Sequence, residues 1–409
     1  MRTTISRILL SLTCIILMNG CEDKCFYYID REHFEPVLQP LSEIKSSFGV
    51  QSDYQITKPG NIYTYNQYLL VSEKTKGIHI LDNTNPANPI PLKFIQLKGN
   101  TNFSVVNGIL LADNGPDLIS IDISDLEHIE LVNREENINN ENIRGDQFIV
   151  DYVRTIKKEK VECTTNSRNR GFMSDVSSSG GGGNPISTGK GGSMSKFAVI
   201  DNFLYIVNSS ELMPFDVTNP SKPLKKLKVG LTASNIETLF PYKSYLYMGA
   251  SDGVHIYNTG TSKASPSFVS TITHFFGCDP VIVDKDFAFS TIRGGTECRT
   301  NNVSALNIYN VINPSNSYQV HSVNLETPYG LGIKDDLLFI CQGTKGLFVY
   351  NWDINTQSVS FRHSYPDIHA FDVIVNGNTL IVTADNGLFQ FDISSKDNIV
   401  YLSKLAEWN

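Results

Sequence analysis

The chain has 409 residues, 41% of them hydrophobic and 10% aromatic, enough for two or three ordinary domains or for one large all-β domain. A formal net charge of −8 and the lack of a basic stripe argue against nucleic acid as a partner; "KKEK" at Lys157–Lys160 reads as a solvated loop. The abundance of Asn, Ser, Tyr, Val and Ile favours strands and turns over helices.

At the N-terminus, Arg2 and Arg7 precede the apolar stretch Ile8–Met18. That stretch is about half as long as a membrane-spanning helix requires, so residues 1–20 read as a secretory signal. The signal ends in "LMNGC", where Gly20 followed by Cys21 resembles a bacterial lipobox, although Met18 and Asn19 depart from its preferred residues. The expectation is an exported outer-membrane lipoprotein, periplasmic or surface-facing, acylated on Cys21; plain secretion is the alternative. More than one acyl chain would make the anchor stable, so the membrane is an expected partner. Glu22 and Asp23 resemble the surface-export signal of Bacteroidota lipoproteins, or else belong to an ordinary solvated tether. Residues 21–60 are then tether and lead-in. Within them, Glu35–Lys58 either lends a strand to the last sheet or lies beneath it.

From residue 61 onward one phrase recurs. "GIHILDNTNPANPI" at Gly77–Ile90 returns as "ELMPFDVTNPSKPL" at Glu211–Leu224 and as "ALNIYNVINPSNSY" at Ala305–Tyr318. Seven polar anchors, Asp82, Asp122, Asp216, Asn258, Asn310, Asn351 and Asp392, follow one another at close to forty residues, apart from an insertion between the second and third and a mild lengthening between Asn258 and Asn310. Four residues before each anchor stands an aliphatic side chain, and one before it a large apolar one. Gly77, Gly253, Gly346 and Gly387 come five before it, where a tight turn would lead into the strand. Each unit yields four short β-branched and aromatic strands divided by turn residues, which predicts a four-stranded meander. Many strands are apolar on both faces, so each sheet must be covered twice. Sheets packed radially around an axis meet that demand, whereas an open solenoid would need polar capping repeats and the final unit is as apolar as the rest. The predicted fold is therefore an all-β, seven-bladed β-propeller of four-stranded antiparallel blades over residues 61–409, with a flexible Gly/Ser-rich insertion between blades two and three.

"GIHILDNTNPANP", "ELMPFDVTNPSKP" and "GLFQFDI" resemble the LVIVD repeat of Bacteroidota lipoproteins. "GCDPVIVDKDFAFSTIRGGTEC", the Gly-rich stretch before "SMSKF" and "FDVIVNGNTLIVTADNGLFQFD" add to the likeness, while the second unit lacks the Asn-Pro pair. The resemblance implies a β-propeller and an exported location, and no defined activity.

In a meander blade, the loop after strand two and the link from strand four share one end, and here the long loops gather there. They include the insertion at about 133–194, the loop Arg293–Asn302, and links that carry Tyr329, Asp367 and His369. Loops of this kind usually carry function, and Arg293, Glu297, Arg299, Tyr329, Asp367 and His369 form the candidate ligand face. "SSSGGGGNPISTGKGGSMS" reads as a mobile linker, and "DQFIVDYVRTI" as an extra strand. Gly183–Lys190 is not a phosphate loop, because its spacing is one residue too long and Gly191 stands where Ser or Thr should follow. Cys278 and Cys298 fall at one end of the same hairpin and are expected to form a disulfide. Cys341 reads as a buried thiol, and Cys25 and Cys163 either pair or stay free.

The sequence shows no paired carboxylates, Ser-His-Asp set or metal ligands at local spacing, so no cofactor, metal or catalytic residue is assigned. His79 and His255 occupy equivalent positions in two repeats and suggest packing. His369 beside Asp367 and Asp372 is the exception to examine. The preferred function is a membrane-anchored binding or scaffold module that engages a protein or glycan. The alternative is a propeller hydrolase or lyase whose dispersed residues converge on the central channel.

Overall fold

A computed structural model describes residues 26–52, 54–162, 190–232, 236–273, 280–293 and 304–405. The recurring anchor explains itself through a turn. The carboxylate or amide oxygen of Asp82, Asp122, Asp216, Asn258, Asn310 and Asp392 accepts the backbone N–H two residues on, tying the exit of each third strand into an Asx-turn. In the sixth unit Asp353 takes over this bond to Asn355, because Asn351 instead receives Arg362 at 3.1 Å. The residue before each anchor is buried in all seven units.

Among the described residues seven sheets each contain a four-stranded antiparallel meander, and their first strands are Pro59–Tyr65, Phe103–Val106, Phe197–Ile200, Ile236–Tyr242, Val281–Asp284, Leu331–Lys334 and Ala370–Asn376. The meanders are numbered one to seven in that order. First and second strands meet in two-residue turns whose leading residues, such as Asn66, Asn107 and Asp201, have positive φ, as hairpins with right-handed twist demand. The third-strand glycines are required as well. Gly77 has φ 156°, and a Cβ there would collide with the Ile95 carbonyl.

Each junction between consecutive meanders has its own apolar cluster. Leu70, Ile80, Leu110 and Ile119 join the first to the second, and Phe389, Val373, Phe339 and Val349 join the sixth to the seventh. The seventh returns to the first through Ile374, Ile381, Leu69 and Val71. Asn83 and Gln390 exchange two amide bonds there, of 2.9 and 2.8 Å, and the Ser403 hydroxyl donates to the Pro86 carbonyl at 2.6 Å. The Asn-Pro turn thus does two jobs: Asn85 closes it and Pro86 docks it on the neighbouring meander. Truncating a buried Ile or Leu at such a junction costs about 2–5 kcal/mol.

The lead-in lends no strand to the last meander, which is built from residues 370–405 alone. Gly49–Gln51 instead adds a fifth, outer strand to the first meander by pairing with Phe94–Gln96, after a one-turn helix at Leu41–Lys45. Asn133, expected to open the insertion, is still within the outer strand Glu130–Glu135 of the second meander. The extra strand is present as Gln147–Glu162, in a three-stranded sheet with Phe26–Pro40 and Ile143–Arg144. By contacts the described residues fall into two units, one of residues 26–35 and 152–162, the other of the rest, including all seven meanders. In the smaller unit Lys157 pairs with Glu35 at 2.9 Å. Among the described residues no helix is long and apolar enough to cross a membrane.

Candidate functional site

The tail of the Gly/Ser-rich stretch is not a linker: Lys190–Lys196 runs into the hub where the first strands converge. Lys190 and Gly191 pair with Thr64 and Tyr63 of the first meander, and the Gly192 N–H donates to the Ile62 carbonyl at 3.1 Å. The Ser193 hydroxyl donates to Asp372 Oδ1 of the seventh meander at 2.8 Å and accepts the Leu331 N–H of the sixth at 3.0 Å. The Ser195 carbonyl accepts the Leu239 N–H of the fourth at 2.8 Å, and the Lys196 N–H donates to Asn102 Oδ1, beside the second, at 3.0 Å. One short segment therefore ties together five meanders. Its composition follows from crowding, since a Cβ on Gly192 would collide with the Asp372 carboxylate. Glycine and serine suit a loose tether and a tight backbone approach equally, which is why composition misreads them.

Buried charge concentrates around this segment. Asp372 is buried, and its Oδ2 has no hydrogen-bond partner. Burial pushes its carboxyl up to about 6, and the bond from Ser193 offsets only part of that rise. Burial lowers the Lys196 ammonium, opposed by the charges of Glu237, Glu141 and Asp113. Asp113 is raised by burial even though it accepts the Thr101 and Asn102 N–H groups at 2.7 and 3.0 Å. Cys341 is the buried thiol expected; burial, reinforced by the charge of Asp372, holds it far above the usual range, so it is no thiolate nucleophile.

Of the predicted ligand face, the structure brings Arg293 and Tyr329 together. The guanidinium lies 4.1 Å from the ring centroid, and the ring meets Phe371 edge-on at 4.9 Å. The Tyr329 backbone is fixed on both sides, its N–H donating to Cys341 at 2.8 Å and its carbonyl accepting Thr291 Oγ1 at 2.6 Å. Asp367 is exposed and His369 half-buried, and both are held through their main chains by Asn386. The grouping of His369 with Asp372 fails, because Asp372 is buried against Ser193 at the hub. Glu297, Arg299, Cys278, Cys298 and Cys21 lie outside the described residues, as do Cys25 and Cys163.

The two repeat-equivalent histidines are buried in their sheets. His255 Nε2 lies 2.9 Å from Asp252 and its Nδ1 3.0 Å from Thr271 Oγ1, the connectivity of a hydrolytic triad. The first meander shows that this register position is structural. There His79 sits 3.5 Å from Glu73 and packs on Phe94, which occupies the place of Thr271. Among the described residues no group of three or more His, Cys, Asp or Glu could hold a metal ion.

Residues 191–230, the hub segment and the third meander, match the family model of the LVIVD repeat. That one stretch is similar to an LVIVD repeat. No curated protein matches it. Among solved structures this chain is similar to a putative 6-phosphogluconolactonase from Bacteroides fragilis NCTC 9343, at 11% identity and TM-score 0.55, over 87% of this chain and 97% of that one. A putative 6-phosphogluconolactonase from Bacteroides uniformis ATCC 8492 is similar at 10% identity and TM-score 0.54, over 83% and 92%. A chain of the mitotic checkpoint complex is similar at 10% identity and TM-score 0.50, over 95% and 97%. At such identities the likeness concerns the fold alone, a β-propeller of four-stranded antiparallel sheets.

Proposed function

We propose that this chain is an exported lipoprotein, acylated at Cys21, and that its seven meanders are the blades of a seven-bladed propeller serving as a binding or scaffold module. The ligand is a protein or glycan, met at the long-loop end by Arg293, Tyr329, Asp367 and His369 together with Glu297 and Arg299. One observation carries this reading over the enzymatic one. The hub, where dispersed catalytic residues of a propeller would converge, is crossed by Lys190–Lys196, and Asp372, its buried carboxylate, is consumed in holding that segment. The long-loop rim is left to present the exposed Asp367 beside the half-buried His369, Arg293 and Tyr329, with Arg293 stacked on Tyr329. A preformed, partly desolvated cation on an aromatic platform suits a carboxylate-bearing partner or a sugar ring.

The test uses the full chain in its own cells. Radiolabelled palmitate should mark the wild type and not Cys21→Ser, which should leave the membrane fraction. Cross-linked partners recovered with the wild type should be lost with Arg293→Ala/His369→Ala. A Cys21→Ser protein that stays labelled and membrane-bound, or a rim variant that keeps every partner, overturns the corresponding half of the reading. A deletion across residues 133–194 is unsuitable, since it would remove the hub segment as well.

A further inference from the structure

The hub holds space as well as chain. Two cavities flank the inserted segment and share Gly191 and Phe240. The larger, about 180 Å³, is walled chiefly by Tyr63, Phe197, Leu239, Phe240 and Pro241, with Ser104 and Ser195 as hydroxyl-bearing neighbours. The smaller, about 90 Å³, is walled by Ile282, Leu331, Ile333, Val373 and Val375, and among the described residues Asp284 is its one charged lining residue. An enclosed apolar cavity of about 150 Å³ takes up benzene, and the larger space, partly open and with hydroxyl groups in its wall, has a comparable volume.

The glycines around the hub differ in what demands them. Gly192 and Gly330 are forced by the close approach of Asp372, where a Cβ has no room. Gly191 and Gly332 are under no such demand. A Cβ on Gly191 would lie 3.4 Å from Tyr63 and 3.6 Å from Ser195, and one on Gly332 would lie 3.4 Å from Val373, all ordinary contacts. Neither has the left-handed φ that favours glycine. What a side chain would do at these two places is fill the cavities. Natural interiors are close-packed, and a void that one methyl group could reduce forgoes dispersion contacts.

We infer that the hub cavity beside Gly191 is a binding site for a small uncharged aromatic molecule, a single ring with at most one hydroxyl. The walls fix the class. Aromatic and aliphatic surfaces favour a ring, the volume limits it to one, and among the described residues the larger cavity is lined by no acidic or basic side chain to compensate a buried charge. Ser104, buried in the wall, is the partner for a single polar substituent. This site is separate from the long-loop rim and does not depend on it.

Fluorobenzene observed by fluorine NMR, with phenol as competitor, tests the inference on the full-length protein. The wild type should broaden and shift the fluorine line saturably, and phenol should reverse the effect. Gly191→Val should weaken binding at least tenfold while the melting temperature is kept or raised. Should that variant fail to fold, Gly191→Ala, which adds a single methyl group in ordinary contact, should weaken binding about threefold. No saturable response from the wild type, or wild-type affinity in a folded Gly191 variant, overturns the site.

Discussion

Two buried carboxylates at the long-loop ends of inner strands meet opposite fates. Glu73, closing the second strand of the first meander, accepts the Thr57 N–H at 2.9 Å, the Lys58 N–H at 3.0 Å and the Thr57 hydroxyl, with Lys76 and His79 each at 3.5 Å. Burial alone would raise its pKa, but the bonds from His79 and Thr57 outweigh it and hold the carboxyl down at about 2. Asp372, at the hub, stands at about 6, because burial outweighs the bonds it accepts from the Ser193 hydroxyl and from the Val373 and Ser193 backbone. Burial penalises both charges; at Glu73 the hydrogen bonds outweigh it, and at Asp372, the more deeply desolvated of the two, they do not. The first is a finished structural knot. The second is tension accepted so that the chain can close its own hub.

The comparison breaks most visibly at Glu73. Glu73→Gln should destabilise by about 3 kcal/mol at pH 7, since the part-buried N–H groups of Thr57 and Lys58 and a buried histidine lose their anion. A lowered pKa means the contribution is present above the unfolded value of 4.5 and lost as pH falls through about 2, so urea melts of the two proteins should converge in acid. Asp372 should behave with the opposite sign. Its folded pKa is raised, so its stability contribution is complete below 3.8 and is lost as pH climbs through about 6. Asp372→Asn should consequently stabilise by about 3 kcal/mol at pH 8 and by almost nothing at pH 4, because a carboxyl that releases its proton near 6 instead of 3.8 resists ionisation by about that much. Gly192→Ala should cost about 1–3 kcal/mol by crowding that carboxylate, and the cost should shrink in an Asp372→Ala background, which a double-mutant cycle would read. The smallest effect belongs to the rim, where Arg293→Ala should lose about 0.5–1 kcal/mol of cation–π stabilisation in chemical denaturation.

Much of the fold is legible in the sequence because it repeats. A polar anchor, a large apolar residue before it and an aliphatic one three further back are local requirements of a buried third strand ending in an Asx-turn, and all seven copies state them. The insertion marks the limit of such local rules. Lys190–Lys196 has no period, and its glycines look the same whether chain is loose or squeezed; only the collision between a Gly192 Cβ and Asp372, 180 positions away, tells them apart. Asp372 stands in the sequence as a companion of His369, since nothing local reveals that it is buried at the hub. Arg293 and Tyr329 both stand out by their place on long loops, yet their stacking joins neighbouring meanders, a contact that no local spacing encodes.

The most direct test of the account is amide hydrogen exchange at Gly192, whose N–H donates to Ile62 inside the hub. The closed hub predicts protection on the scale of the buried strand residues around Ile80 and Leu70, persisting for hours under native conditions. Exchange as fast as at the exposed Asn85–Ala87 turn would contradict it, returning Lys190–Lys196 to the role of a linker and reopening the centre of the molecule.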